Sequence, residues 1–183
     1  MSATEAASDE VLIARIAQGD RLAMQVLYGR HYVRVYRFGL RLLHDEEVAE
    51  DLVTEVFRDV WRQAGKFEGR SAVSTWLLAI TRFKALSALR RWKDVELDAA
   101  NAIEDSSDNP EVAATKKDAS EVLRKRLGGL SPEHREIVDL VYYHEKSVAE
   151  VAAIIGIPEN TVKTRLFYAR KRFSMHVRNW PKC

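Results

Sequence analysis

The chain is 183 residues long, 46% hydrophobic and 31% charged, with 29 Lys and Arg against 27 Asp and Glu. That apolar fraction belongs to a folded protein rather than a disordered chain, and eight glycines with four prolines supply too few turn-formers for a sheet-rich fold. The one cysteine, Cys183, stands last, which excludes an internal disulfide and a cysteine-based zinc site built from one chain. Met1 to Glu10 has no apolar core of a signal peptide, and apolar runs such as Val151 to Ile157 are too short to span a bilayer. The expectation is a soluble, cytoplasmic, all-α protein.

In chain order, residues 1–9 read as a disordered N-terminus and residues 10–93 as a helical domain. Asp20 caps a helix to Leu43, with Leu27, His31, Val35, Phe38 and Leu42 at three- and four-residue spacing. A second helix opens near Asp45 and runs to about Ala64. Its apolar stripe is Val48, Leu52, Val53, Val56, Phe57, Val60 and Trp61, and its other face is acidic, with seven acids against Arg58 between Asp45 and Asp59. After the loop Gly65 to Gly69, a third helix starts near Ser71 or Ser74 and ends around Arg90 to Trp92. Val73, Trp76, Leu77, Ile80 and Phe83 form its expected buried face, which leaves Phe67 and Trp92 as the better exposed aromatics. No acid occurs between Glu68 and Asp94, so this helix is basic and carries aromatics, a combination that suits single-stranded nucleic acid. An acidic helix suits a basic or mixed protein partner instead.

Residues 94–118 lose the helical period, and residues 93–118 hold eight acids against three bases, so this stretch reads as a flexible acidic linker. Residues 119–178 form a second, basic-leaning helical domain, and 179–183 a short tail. Its helices run from Ala119 to Leu127, from Ser131-Pro132 to about His144, from Ser147 to Ile155, and from Glu159 to Val177. Ser147 and Glu150 make a capping box, and Gly156 ends the third helix in the left-handed conformation. Val148, Val151, Ala152 and Ile155 on one helix match Val162, Leu166, Ala169 and Phe173 on the next, the pattern of a helix-turn-helix. Opposite the second stripe lie Asn160, Thr164, Phe167 and Lys171, flanked by Thr161, Lys163, Tyr168 and Arg170. After Glu159 there is no acid at all, a composition that faces phosphates. No phosphate loop, metal-ligand spacing or nucleophile motif is present, which argues against an enzyme and against a cofactor. His31, His134 and His144 read as helix-surface or boundary residues.

Four segments then stand out together: Ala49 to Phe57 with Trp61, Ser74 to Ile80, Leu130 to Glu136, and Asn160 to Leu166 with Ala169-Arg170. In this order and spacing the chain resembles bacterial alternative sigma factors of the extracytoplasmic-function type, over about residues 10–178. The resemblance implies a region-two domain and a region-four domain that bind core RNA polymerase and promoter DNA. It implies that Glu47, Glu50, Asp51, Thr54, Glu55 and Arg58 grip the clamp coiled coil of the β′ subunit. It implies that Lys66, Phe67, Arg70, Ser74, Arg82, Lys84, Arg90 and Arg91 hold the melted −10 strand. Asn160, Thr161, Lys163, Thr164, Arg165, Phe167, Tyr168, Arg170 and Lys171 then read the −35 duplex, and an anti-sigma factor is the expected regulator. The family often has Gln at position 54 and Gly at position 160, where this chain has Thr54 and Asn160. An operator-binding helix-turn-helix regulator that ignores the polymerase is the alternative, but it leaves the acidic helix and the linker unexplained.

Overall fold

A computed structural model of the chain describes residues 4, 6–100 and 130–178. The expected helix Ala119 to Leu127, residues 101–118 of the expected linker, and the tail 179–183 with Cys183 lie outside the described residues. All regular structure among the described residues is helical. The chain divides into two compact units, Met1–Ile103 and Glu104–Cys183.

The first unit holds α1 (Asp9–Ile16), α2 (Arg21–Leu43), α3 (Glu46–Gln63), a short 3-10 turn (Ala64–Lys66) and α4 (Val73–Ala100). Capping sets the boundaries. The Asp20 carboxylate accepts from the N–H groups of Leu22 and Ala23 at 2.9 and 3.1 Å, and Asp45 accepts from Val48 N–H at 3.1 Å. His44 closes α2 in the left-handed conformation. One apolar core joins the four helices, with Leu12, Ile16, Leu27, Val35, Val56, Val60 and Leu77 fully or almost fully buried. Gly39 lets α2 approach α3: a Cβ there would stand 2.7 Å from Leu52 Cδ2.

Three details differ from the sequence reading. First, α1 is an ordered helix beginning at Asp9 with Ser8 as its N-cap, one residue inside the stretch read as disordered. Second, α4 runs to Ala100 rather than stopping near Trp92. The acids that begin at Asp94 change the charge of the segment but supply no helix breaker, since no Gly or Pro occurs before Pro110. Third, Trp61 sits at the edge of the α3 stripe and is exposed, whereas Ala49, not in the expected stripe, is buried.

His31 is a further correction. It is 5% exposed, within the core stripe of α2, and its Nε2 lies 2.6 Å from the Asp9 carboxylate on α1. Arg30 holds the other Asp9 oxygen at 2.8 Å. Burial pushes His31 below the ordinary imidazole range, outweighing the pull of Asp9 in the other direction. Burial alone would raise Asp9, but its bonds to Arg30 and His31 bring it below the ordinary carboxyl range. The folded unit therefore keeps a neutral imidazole that donates to an ionised carboxylate. The unfolded chain takes up the imidazole proton as pH falls below about 6.5, so the contribution of His31 to stability is full above that value and declines on acidification. The urea midpoint of the protein is expected to fall between about pH 7.5 and 5.5, and the non-titrating variant His31→Gln to show a smaller fall. An identical fall in both proteins would remove His31 as the cause.

The second unit holds α5 (Pro132–Val138), extended by a π-helical turn (Asp139–Tyr143), then α6 (Val148–Ile155) and α7 (Glu159–Arg178). Ser131 precedes α5, but its hydroxyl is 2.5 Å from His134 Nδ1 and does not cap the backbone. His144, read as a boundary residue, is buried beside Asp139, with 3.4 Å between Nε2 and Oδ2. The capping box of α6 forms as expected: Glu150 N–H donates to Ser147 Oγ at 3.2 Å and Ser147 N–H donates to Glu150 Oε2 at 3.0 Å. Gly156 follows with φ 77°, a conformation that a Cβ makes costly. Leu130, Ile137, Leu140, Val151, Ile154, Ile155, Val162, Leu166 and Ala169 are buried.

Candidate functional site: two helical faces in the first unit and one in the second

The buried side of α3 is Ala49, Leu52, Val53, Val56, Phe57 and Val60. At about 100° per residue this fixes the opposite pole on Glu47, Glu50, Asp51, Thr54 and Arg58. All five are exposed. Thr54 turns its hydroxyl back onto the Glu50 carbonyl at 3.4 Å, so its methyl and hydroxyl stay close to the helix. Glu55 is half-buried at the margin of this face.

There Glu55 meets a residue expected on the other surface. Lys84 Nζ of α4 lies 3.3 Å from Glu55 and 2.8 Å from Asp59. The lysine side chain is only 15% exposed. The structure thus joins an expected −10 residue to an expected polymerase residue in one internal ion cluster, and Lys84 is turned toward α3. The other expected −10 residues spread along the loop and α4. Lys66, Arg70, Arg90 and Arg91 are exposed, and Ser74 and Arg82 are half-buried. Arg70 pairs with Glu68, and Arg90 donates to the Leu86 carbonyl at 3.3 Å.

The aromatics of this surface exchange places relative to the sequence reading. Phe67 is half-buried, packed on Trp76 with 5.0 Å between ring centres, so it is a support and not a free platform. Phe83, expected inside, is 68% exposed. The buried face of α4 is Val73, Leu77, Leu78, Thr81 and Ala85. Phe83 lies six residues after Leu77, about 240° round the helix, and so on the outer side. Thr81 is buried in its stead because its hydroxyl donates to the Leu77 carbonyl at 2.8 Å and leaves only its methyl to pack. Trp92, on the same helix, is exposed as expected.

In the second unit Val162, Leu166 and Ala169 bury one side of α7. Asn160, Lys163, Thr164, Phe167, Tyr168, Arg170 and Lys171 are exposed, and Thr161 is half-buried. The Thr164 hydroxyl donates to the Asn160 carbonyl at 2.8 Å, which fixes its rotamer in the first turn. Phe167 and Tyr168 are 62% and 55% exposed, with ring centres 5.6 Å apart in an edge-on arrangement. Arg165 is half-buried against Glu133 of α5 at 3.1 Å, where it ties α7 to its own unit. Lys163 lies 3.7 Å from Glu159. Exposed aromatic rings and cations on one helix, with a threonine and an asparagine in its first turns, can contact phosphates and base edges together. Among the described residues, no group of three or more His, Cys, Asp or Glu side chains is arranged to hold a metal.

Residues 27–94 match Sigma-70 region 2, and residues 120–173 match Sigma-70, region 4. The chain is 31% identical over 163 residues to the ECF RNA polymerase sigma factor SigL of Mycobacterium tuberculosis, covering 86% of this chain and 90% of SigL. The solved sigma factor RpoE, in complex with the anti-sigma factor NepR from Bartonella quintana, superposes with a TM-score of 0.64 at 25% identity, over 83% of this chain and 94% of that one. CnrH, solved in complex with the cytosolic domain of CnrY, superposes with a TM-score of 0.66 at 23% identity, over 92% of this chain and 96% of that one.

Proposed function

Because the chain belongs to the sigma-70 family as a sigma factor of the extracytoplasmic-function type, we propose that its two units divide promoter recognition between them while α3 carries the attachment to polymerase. The protein is an alternative sigma factor: it binds core RNA polymerase and directs transcription initiation at chosen promoters. Its role is recognition and DNA opening, without a catalytic step of its own. Among the described residues no helix is long and apolar enough to cross a membrane, and we assign the protein to the bacterial cytoplasm, where its polymerase is.

The observation that carries the division is the segregation of charge onto separate helix faces. Glu47, Glu50, Asp51 and Thr54 present an exposed acidic pole on α3, with Glu55 at its edge and Arg58 as its one cation. An acidic pole is complementary to a basic or mixed partner surface, and we assign it to the clamp coiled coil of the β′ subunit. The loop and α4, with Lys66, Arg70, Arg82, Arg90 and Arg91, take the unpaired −10 strand, and Ser74 lies at the entrance to α4. The exposed ring of Phe83 adds a stacking surface on the outer side of α4. Lys84 serves inside this assembly rather than on DNA, and Phe67 supports Trp76. In the second unit α7 reads the −35 duplex. Asn160 and Thr164 reach base edges, the Phe167 ring suits a thymine methyl, and Lys163, Lys171 and Arg170 hold phosphates, with Thr161 and Tyr168 on the flank. Arg165 supports α7 through Glu133. An anti-sigma factor as regulator is supported by the RpoE complex, in which such a protein is bound to a relative.

Run-off transcription with purified core polymerase on fragmented genomic DNA tests the whole reading. Added protein is expected to produce discrete transcripts absent with core enzyme alone. Failure to copurify with core polymerase, with retained binding to duplex DNA, would leave the operator-binding alternative standing.

A further inference from the structure

We propose that the Tyr142 hydroxyl and the Arg170 guanidinium form a single phosphate clamp on the flank of α7, which makes Tyr142 a contact to the DNA backbone; this rests on the reading of α7 as the duplex-binding helix. Tyr142 lies in the π-helical turn after α5, 28 residues before Arg170 in sequence. Its hydroxyl accepts a hydrogen bond from Arg170 Nε at 2.7 Å, and the guanidinium carbon stands 5.7 Å from the centre of its ring. Tyr142 is 57% exposed and Arg170 is exposed as well, so the pair lies on the outer surface.

The chemistry of the pair selects its ligand. A phenol has one proton to donate, and here its oxygen has accepted the Nε–H; the phenolic proton and the four N–H groups on the two Nη atoms remain to be given. Such a cluster offers donors and a positive charge, and the group that answers it is an anion with several acceptor oxygens, a phosphodiester. Two other cations of the helix differ in one respect. Arg165 and Lys163 are held by the carboxylates of Glu133 and Glu159, which offset their charge. Arg170 is held by a neutral hydroxyl, so its full charge stays available to an incoming anion. The ring and the hydrogen bond also restrict a long side chain before DNA arrives, so less conformational freedom is lost on contact. Lys163 lies seven residues earlier, two turns along the same flank, about 10.5 Å away along the axis. The clamp and Lys163 therefore line one edge of the helix, as contacts to a single DNA strand require.

The test uses the full-length protein and a fluorescent duplex of mixed sequence, about 30 base pairs long, with affinity measured by anisotropy across about 50 to 200 mM salt. Arg170→Ala is expected to weaken binding and to reduce the slope of log affinity against log salt by about one. Tyr142→Phe keeps every charge, so its slope should match the unmodified protein while affinity falls about tenfold or more, as for loss of one hydrogen bond to a charged group. In an Arg170→Ala background the same Tyr142→Phe change is expected to cost less than about twofold. Its unfolding temperature should be that of the unmodified protein. Unaltered affinity in Tyr142→Phe, or an equal loss in both backgrounds, overturns the clamp. If Lys171→Ala still weakens binding in that case, the duplex-binding reading survives alone. Binding by the unmodified protein that is absent or indifferent to salt removes both.

Discussion

Replacing Glu50 and Asp51 together by lysine is expected to weaken association with core RNA polymerase at least about 100-fold. Both carboxylates are exposed at the centre of the α3 pole, on the side away from the buried stripe. The double change removes two attractive partners and sets like charges against the clamp, which costs several kcal/mol; about 3 kcal/mol is a hundredfold. Glu47 is left in place in this design because it stands in the first turn of α3, where an acid stabilises the helix dipole by about 0.3 to 1 kcal/mol. With that residue kept, two exposed substitutions should shift the unfolding temperature by no more than about 5 °C. Competition for core polymerase against the unmodified protein reads the effect. Retained association would mean that α3 does not carry the attachment.

The second large effect is expected at Phe83. Phe83→Ala should slow promoter opening by about tenfold or more in the reconstituted holoenzyme, since a base stacked on an aromatic ring contributes about 1 to 3 kcal/mol. Phe83→Trp, which retains a flat π-face, should restore it. Permanganate reactivity of the melted thymines follows opening directly. The unfolding temperature separates this role from packing. A buried phenylalanine lost to alanine costs about 3 to 5 kcal/mol, whereas a ring 68% exposed leaves little behind when removed. Normal opening by Phe83→Ala would take this residue off the DNA surface.

Phe83 also marks where sequence reasoning stops. On α4 two apolar stripes overlap. One runs through Val73, Trp76, Ile80 and Phe83 and contains the larger rings. The other runs through Val73, Leu77, Thr81 and Ala85 and contains a hydroxyl. The second is buried, because the threonine hydroxyl satisfies itself on its own backbone and leaves only its methyl to pack beside Leu77 and Ala85. The choice belongs to tertiary packing, which no single helix encodes. The helix-turn-helix was legible for the opposite reason: the Ser147–Glu150 box, Gly156 and the two matching stripes all specify the same turn. His31 fell between these cases. Its position on the α2 stripe signalled burial, but its partner Asp9 is 22 residues away on a helix the sequence reading did not single out. Tyr142 and Arg170 are separated further still, and nothing local to either predicts that they meet.

The ion cluster around Lys84 bears on how a distant grip is transmitted. Glu55 and Asp59 of α3 share one ammonium group on α4, and beneath them both helices pack into the same buried core. Whatever seizes the acidic pole therefore sets the bearing of α4 as well, much as a tool clamped by its shank has its cutting edge already aligned. On the proposed reading of α4, strand capture would then need no separate signal to be aimed: the angle would be built into the part before the enzyme arrives.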